Sequence, residues 1–110
     1  STMEILHNGR MISMKLTPEM VKETGGSFSE GESTINQPFQ VKGVVASLLI
    51  KQDLDGPIKV SMRTKGDRDV ATIAINNGGG GHKNAAGYKS KLSFEETYKK
   101  AVEDMSKFFI

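Results

Sequence analysis

The chain contains no cysteine and no tryptophan, and only 6% of its 110 residues are aromatic. Without cysteine it can form no disulfide framework and has no thiolate nucleophile. No apolar run approaches the roughly 20 residues that a membrane-spanning helix needs. No basic segment followed by an apolar one marks a signal peptide at the start of the chain. These absences favour a cytoplasmic protein with an aliphatic core, in which the six methionines fill gaps.

Complete catalytic and metal-binding motifs are also missing. The two histidines, His7 and His82, are far apart in the sequence, and no His-x-x-x-His pair exists. Two Asp-x-Asp pairs, at 53–55 and 67–69, stand in turn contexts and are predicted to be turn and capping residues. No nucleophile and base form a hydrolytic set. The sequence therefore predicts no catalytic residue and no metal site in this chain, which is suited to hold a phosphate but not to cleave one.

The hydrophobic pattern predicts one α/β domain with a central mixed sheet of four to five strands and helices packed on it. Alternating or continuous apolar residues predict strands over 10–16, 44–50, 58–64 and 88–92. The second and third of these are expected to form an antiparallel hairpin. Helices are predicted to begin after Thr17, at Asp69 and at Ser93, where capping residues stand. A helical segment around 30–37 and one or two helical turns over 82–86 complete the prediction.

The positive charge of the chain is concentrated in its second half. The net charge is only +2, but residues 59 to 91 contain two acidic side chains, Asp67 and Asp69. The same segment contains seven basic ones: Lys59, Arg63, Lys65, Arg68, Lys83, Lys89 and Lys91. Such a local excess favours a phosphate-bearing partner, although a solvated lysine-rich surface would show the same pattern.

Four consecutive glycines, Gly78 to Gly81, lie inside this basic segment and are followed by His82. The run matches neither the Walker A spacing nor the GxGxxG pattern, so the usual nucleotide-binding loops are not supported. Glycine amides can nevertheless surround an anion, and a helix beginning near His82 would add its N-terminal N–H groups. The alternative is a flexible surface turn without a ligand, for which the tight closure at Ala85-Ala86-Gly87 is unusually constrained.

We expect the basic segment and the glycine run to form one phosphate-binding site. Arg63 stands on the polar side of an otherwise apolar strand, where its guanidinium can bind phosphate through two hydrogen bonds, or can simply be solvated. Lys65 and Lys83 are weaker candidates for the same role. The predicted site residues are Arg63, Lys65, Gly79, Gly80, Gly81, His82, Lys83 and Asn84.

Three segments of the chain resemble the DHH-associated C-terminal domain of DHH-family phosphoesterases. They are Ser61–Gly66 (SMRTKG), Asp69–Ala74 (DVATIA) and Gly79–Gly87 (GGGHKNAAG). The resemblance is strongest with bacterial nanoRNase (oligoribonuclease) proteins that also dephosphorylate 3'-phosphoadenosine 5'-phosphate. It implies a nucleotide or nucleic-acid phosphate as ligand, with Arg63 and Gly80–His82 contacting the substrate phosphates.

The same resemblance implies an enzyme larger than this chain. In such hydrolases an N-terminal DHH domain binds two manganese ions and performs the hydrolysis, while the associated domain closes over the substrate. This sequence has no DHH motif. The whole of residues 1–110 is therefore expected to be the substrate-binding domain, inactive alone, of an intact enzyme that could also be a homodimer. Two alternatives stay open: a stand-alone RNA-binding domain, as in alanyl-tRNA synthetases, and part of an exopolyphosphatase-like enzyme.

Overall fold

Short segments in which apolar side chains alternate form a mixed sheet. A computed structural model describes residues 3–17, 42–52 and 56–110. The order across the sheet is β1-β2-β3-β4-β6-β5. Only β2 and β3 are parallel, and every other neighbouring pair is antiparallel. The strands are β1 (Met3–Leu6), β2 (Met11–Leu16), β3 (Ala46–Gln52), β4 (Ile58–Thr64), β5 (Gly80–His82) and β6 (Ala85–Ser90).

Two capped helices pack on this sheet in the described part of the chain. Helix α1 (Val70–Asn76) begins at Asp69, whose carboxylate accepts hydrogen bonds from the two N–H groups that follow Val70. Helix α2 (Phe94–Ser106) begins at Ser93, whose hydroxyl accepts from the Glu96 N–H at 3.1 Å, and continues into a 3₁₀ turn (Lys107–Phe109). The predicted α/β fold and both capped helix starts are confirmed. The predicted helices after Thr17 and around 30–37 lie outside the described residues.

The core lies on the side of the sheet that faces α1 and α2, which we call the helix face. Alternate residues of β3 and β4 supply much of it, and α1 and α2 cover them through Val70, Ala74, Ala101 and Met105, all four without solvent exposure. As predicted, β3 and β4 form an antiparallel hairpin, with Ser47 opposite Arg63. The apolar residues of β4 point to the helix face, so its polar residues point to the other side of the sheet.

The glycine run and the residues after it differ from the prediction. Residues 82–86 form no helical turn, because β5 and β6 are the two arms of a hairpin in which His82 pairs with Ala85. The predicted contribution of a helix N-terminus to anion binding is therefore wrong. Strand β6 also begins at Ala85, three residues earlier than predicted, and ends at Ser90, whose hydroxyl accepts the Leu92 N–H at 3.1 Å.

Two further features were missed. Strand β1 was not predicted, and it forms one edge of the sheet beside β2. The polar residues of β2, Ser13 and Lys15, lie on the helix face rather than in solvent. The Ser13 hydroxyl hydrogen-bonds the Tyr98 hydroxyl at 2.6 Å, and the Lys15 ammonium lies 4.1 Å from the Tyr98 ring centroid. Tyr98 of α2 thus provides a hydrogen-bond partner for Ser13 and a cation–π partner for Lys15 on the covered face of the sheet.

Tyr88 on β6 makes the folded domain less stable at alkaline pH. Burial, and secondly the negative charge of Asp104, raises the pKa of its hydroxyl to about 12. In the unfolded chain the group ionises near 10. Between those values the unfolded state binds fewer protons than the folded state, so stability is complete below about pH 10 and falls as the pH rises.

We expect Tyr88→Phe to remove much of this loss between pH 10 and 12, and to leave stability at pH 7 unchanged or higher. The Tyr88 hydroxyl is buried without a hydrogen-bond partner among the described residues, so removing it costs nothing there. Urea unfolding at several pH values measures the effect. Tyr98→Phe is the comparison variant: burial also raises the pKa of Tyr98, and its hydroxyl bonds Ser13, so this variant is less stable at pH 7 but keeps the alkaline loss due to Tyr88. Equal alkaline sensitivity in wild type and Tyr88→Phe would contradict the assignment.

Candidate phosphate-binding groove

A groove of about 340 Å³ lies on the side of the sheet opposite the helices, where β4, β6 and β5 are neighbours. Register places its residues in rows across the strands. Arg63 pairs with Ala85, which pairs with His82, and Ser61 pairs with Gly87, which pairs with Gly80. Residues paired in register share a face of the sheet. The groove is lined by Lys59, Ser61, Arg63, Gly80, Gly81, Ala85, Ala86 and Gly87.

The floor of this groove is made of glycine and alanine, and basic residues stand beside it. β4 supplies Lys59 and Arg63 on one side, four residues apart and hence on one face. The exposed His82 lies in the same row as Arg63, two strands away, which corresponds to about 10 Å between their Cα atoms. A floor without large side chains, bordered by the cationic side chains of Lys59 and Arg63, makes this groove a candidate anion site.

Arg63 is held at the edge of the groove, where one hydrogen bond within the described part of the chain engages its guanidinium. Its Nη1 donates to the carbonyl of Met62 at 3.0 Å, which fixes the orientation of the guanidinium. No carboxylate among the described residues pairs with it. Since a guanidinium carries five N–H donors, several of them can bind an anion in the groove.

The structure brings only some of the predicted residues together here. Arg63, Gly80 and Gly81 line the groove, and His82 stands at its end. Gly79 lines an adjoining hollow of about 330 Å³ beside Lys59. The remaining three predicted residues, Lys65, Lys83 and Asn84, lie in the two turns beyond the groove.

Asn84 joins those two turns to each other. Its side-chain amide nitrogen lies within 3.0 Å of the Thr64 hydroxyl, 3.1 Å of the Gly66 carbonyl and 3.4 Å of the Arg68 carbonyl. The backbone carbonyl of Asn84 accepts the Thr64 N–H at 3.0 Å. The amide hydrogens are thus directed at protein oxygens, which gives Asn84 a positioning role. A contact between its side chain and phosphate stays a prediction.

Lys83 is engaged in an ion pair outside the groove. Its ammonium lies 2.7 Å from a carboxylate oxygen of Asp67 in the facing turn. This hydrogen bond, and secondly the charge of the partner, lowers the pKa of Asp67 and raises the pKa of Lys83. Both side chains are exposed, so water and salt screen the pair. The pair engages one of the three N–H donors of the ammonium, and a contact between Lys83 and phosphate stays a prediction.

The glycines of the run differ in what the fold demands of them. A Cβ on Gly79 would lie 2.2 Å from the Gly87 carbonyl oxygen, and one on Gly81 would lie 2.5 Å from the Ala86 Cα. A Cβ on Gly80 would meet nothing within 4 Å, and its φ lies outside the left-handed region. Neither packing nor backbone conformation therefore explains glycine at position 80. Its effect is to leave the groove empty at that point.

Comparison with known proteins identifies the family of this chain. A family model described as the DHHA1 domain matches residues 20–110. The chain belongs to the DHHA1 domain family. This confirms the resemblance seen in the three sequence segments. In its relatives the DHHA1 domain is the C-terminal partner of a DHH domain.

Two curated relatives of this DHHA1 domain are hydrolases of the DHH family. It is 32% identical over 82 residues to the bifunctional oligoribonuclease and PAP phosphatase NrnA of Thermus thermophilus, covering 74% of this chain and 25% of that protein. It is 37% identical over 77 residues to the cyclic-di-AMP phosphodiesterase GdpP of Geobacillus thermodenitrificans, covering 69% of this chain and 12% of that protein. The chain thus spans a quarter or less of these relatives.

Solved structures share the fold of this DHHA1 domain. An exopolyphosphatase-related protein from Bacteroides fragilis superposes with a TM-score of 0.85 at 26% identity, covering 97% of this chain and 32% of that one. The pGpG-specific phosphodiesterase PggH from Vibrio cholerae superposes with a TM-score of 0.66 at 13% identity, covering 94% and 35% of the two chains. The second likeness shows the fold alone.

Some lining residues escaped the sequence prediction. Lys59, Ser61 and Gly87 line the groove, yet only Arg63 was selected from β4. The signal was present, because residues at a spacing of two on a strand share a face, and Lys59 and Ser61 precede Arg63 at that spacing. Gly87 could not be found this way, since its place opposite Ser61 depends on the register of β6.

The described residues offer no ligand set for a metal ion: no three His, Asp or Glu side chains are grouped among them. The two manganese ions that the resemblance implies for a separate domain stay a prediction. Within the same residues, no helix is long and apolar enough to cross a membrane.

We expect Gly79→Ala and Gly80→Ala to differ sharply in stability. The first forces a Cβ into the backbone of β6, which should destabilise the domain by about 3 kcal/mol, the upper part of the range for overpacking. The second places its Cβ in open space and should leave the free energy of unfolding within about 0.5 kcal/mol of wild type, or raise it slightly. Urea denaturation measures the free energy of unfolding of both variants. An equal loss of that free energy in the two would show that the groove is packed differently.

Proposed function

We propose that this DHHA1 domain binds the phosphates of short oligonucleotides or nucleotides, as the substrate-recognition domain of a DHH-family phosphoesterase. The observation that carries the proposal is the groove floor. Arg63 stands beside a surface of glycine and alanine. Gly80 leaves room there, although neither packing nor backbone conformation requires glycine at that position. A position without a side chain, beside a guanidinium that pairs with no carboxylate among the described residues, fits a ligand that occupies it.

The chemistry of the lining matches a phosphate group better than an uncharged ligand. A guanidinium offers parallel N–H donors that fit two phosphate oxygens, and Lys59 adds a second positive charge on the same side. The exposed strand β5 contributes backbone from Gly80 to His82 at the opposite side. Binding in such a site is electrostatic and positional, so this domain would orient a substrate for chemistry done elsewhere.

The relatives indicate what kind of phosphate compound to test. NrnA is named for activity on oligoribonucleotides and PAP, and GdpP for activity on cyclic-di-AMP. These names share a nucleotide phosphate. Because this chain spans a quarter or less of those proteins, we assign hydrolysis to the remainder of an intact enzyme. There, two manganese ions of a DHH domain would activate water, in the cytoplasm, while this domain alone stays inactive.

Inorganic polyphosphate is a second candidate, and one feature of the groove favours it. None of the residues that line the groove is aromatic, so the described walls provide no ring on which a base could stack. The similarity to an exopolyphosphatase-related protein points the same way. A panel of diribonucleotide, PAP, cyclic-di-AMP and polyphosphate, tested on the intact protein, separates the two candidates.

In the intact protein we expect Arg63→Gln to lower kcat/KM about 10- to 100-fold, because it removes charge-assisted hydrogen bonds to the substrate. Gly80→Ala should lower it by a similar factor while leaving stability intact, since its methyl group enters the groove. His82→Ala should have a smaller effect of the same sign. Metal content should be unchanged in all three.

Lys99→Ala is the matched control, because Lys99 is exposed on α2 and far from the groove in sequence and fold. It should keep wild-type kinetics. Wild-type kcat/KM in both Arg63→Gln and Gly80→Ala would refute substrate binding in the groove.

A further inference from the structure

Strand β6 has an outer edge that β5 covers only in part. In the β5–β6 ladder, the pair furthest along β6 is Gly87 with Gly80. Strand β6 itself continues to Ser90, so residues 88–90 have β4 on one side and no strand of the described residues on the other. We call this outer side of residues 88–90 the open edge. The groove lining ends at Gly87, so the proposed function leaves the open edge unused.

The backbone of Lys89 directs its N–H and C=O groups to the open edge. A Cβ on Gly79 would lie 2.2 Å from the Gly87 carbonyl oxygen, and one on Gly81 would lie 2.6 Å from the Ala85 carbonyl oxygen. Both carbonyls therefore face the glycine run. Alternate residues of a strand direct their backbone groups to the same edge, and Lys89 follows at that spacing. Among the described turns and loops, no backbone group bonds to Lys89, so its N–H and C=O can pair with an added strand.

Two hollows adjoin the open edge and leave room for a further strand. One of about 460 Å³ lies between residues 88–92 and the end of α1 at Asn77 and Gly78, and it contains the side chain of Leu92, which is 45% exposed. The other, of about 330 Å³, lies beside Lys59 and Lys89. A Cβ on Gly78, which lines both hollows, would meet nothing within 4 Å. Successive side chains of an added strand would point alternately to the two faces of the sheet.

The charge around the open edge is positive. Lys89 and Lys91 are exposed, and neither forms an ion pair with the described residues. Lys59 is the register partner of Lys89 and shares its face of the sheet. None of the residues that line the two hollows is acidic. This distribution favours a partner that presents carboxylates on the face of Lys89.

The outward carbonyl of Lys89 favours a peptide over a nucleic acid strand. A peptide backbone supplies an N–H donor for this carbonyl and a C=O acceptor for the Lys89 N–H in one ladder. Phosphodiester oxygens only accept hydrogen bonds, so they would leave the carbonyl without a donor. Positive charge alone suits either partner, and the backbone pattern distinguishes them.

We propose that the open edge binds an extended acidic segment of a partner protein, which joins the sheet as a strand beside β6. The backbone of the segment pairs with Lys89, its acidic side chains lie on the face of Lys89, and the alternate side chains are apolar and enter the larger hollow beside Leu92. This interaction goes beyond phosphate binding and uses neither Arg63 nor the glycines of the groove floor.

The test is an NMR titration of the 110-residue chain with the blocked hexapeptide acetyl-(Glu-Val)3-amide. We expect shifts of the amide signals of Gly78, Lys89 and Leu92, and slower hydrogen exchange at the Lys89 amide because it becomes hydrogen-bonded. Two further peptides are N-methylated, one at its three Glu and one at its three Val residues. Only one of these sets faces β6, so one peptide should bind about tenfold more weakly and the other within about threefold of the parent.

Lys89→Gln/Lys91→Gln should weaken binding of the parent hexapeptide about three- to tenfold and reduce its salt dependence. Lys42→Gln/Lys99→Gln is the matched control, since it removes the same charge from exposed positions outside the two hollows. Circular dichroism confirms that each variant is folded. Arg63→Gln should bind the hexapeptide as wild type does, so a failure of phosphate binding in the groove leaves this result unchanged.

Equal losses in the two double variants would overturn the proposal, as would equal affinity for acetyl-(Lys-Val)3-amide or no binding at millimolar peptide. An equal effect of the two N-methylated sets would exclude strand addition. A tetraribonucleotide, which carries the same charge as the hexapeptide, is titrated alongside. If it shifts the Lys89 and Leu92 signals and the hexapeptide does not, the open edge is part of a nucleotide-binding surface and the proposal is wrong.

Discussion

The close contact between the glycine run and β6 is the constraint on which the candidate site depends. Gly79 and Gly81 approach the β6 backbone so closely that a single Cβ on either would overlap it. Only with both glycines can β5 lie flat against β6 in the observed register. That register in turn places His82 in one row with Arg63 and places Gly80 in the floor of the groove. Backbone packing therefore shapes the groove, and Lys59 and Arg63 supply the charged groups at its edge.

Hydrogen bonds between turns keep the two sides of the groove in a fixed relation. Asn84 connects the β5–β6 turn to the β4–α1 turn through Thr64, Gly66 and Arg68. The Lys83 carbonyl accepts the N–H of Val70, which begins α1. These contacts extend from the buried core to the rim, because Val70 and Thr64 are themselves buried. Preorganisation of this kind lowers the entropy lost when a ligand binds.

Much of the fold followed from local patterns, while the form of the site did not. The caps at Asp69 and Ser93 and the β3–β4 hairpin were predictable, because each depends on short-range chemistry and apolar period. The residues after the glycine run were predicted as helix, since the polar and alanine-rich stretch has no apolar alternation to indicate a strand. Its strand pairing depends on contacts with β4, which a local pattern does not contain.

For the candidate site, the sequence indicated segments that meet at the groove, but not which of their side chains line it. Arg63 and the glycine run were identified together, and the structure places both at one groove. Asn84 and Lys83 were grouped with them by proximity in sequence, yet their side chains bind Thr64 and Asp67 in the neighbouring turn. The contacts of Arg10 and Arg68 with Phe109 had no sequence signal, because the three residues meet only in the folded chain.

The central claim is that the Arg63 and Gly80 groove binds a nucleotide phosphate. Its most direct test is an NMR titration of the 110-residue chain with a diribonucleotide and with PAP. We predict salt-sensitive shifts of the amide signals of Gly80, Gly81 and His82 and of the Arg63 guanidinium, with little change on α2. Shifts confined to other parts of the molecule, or none at saturating ligand, would contradict the account.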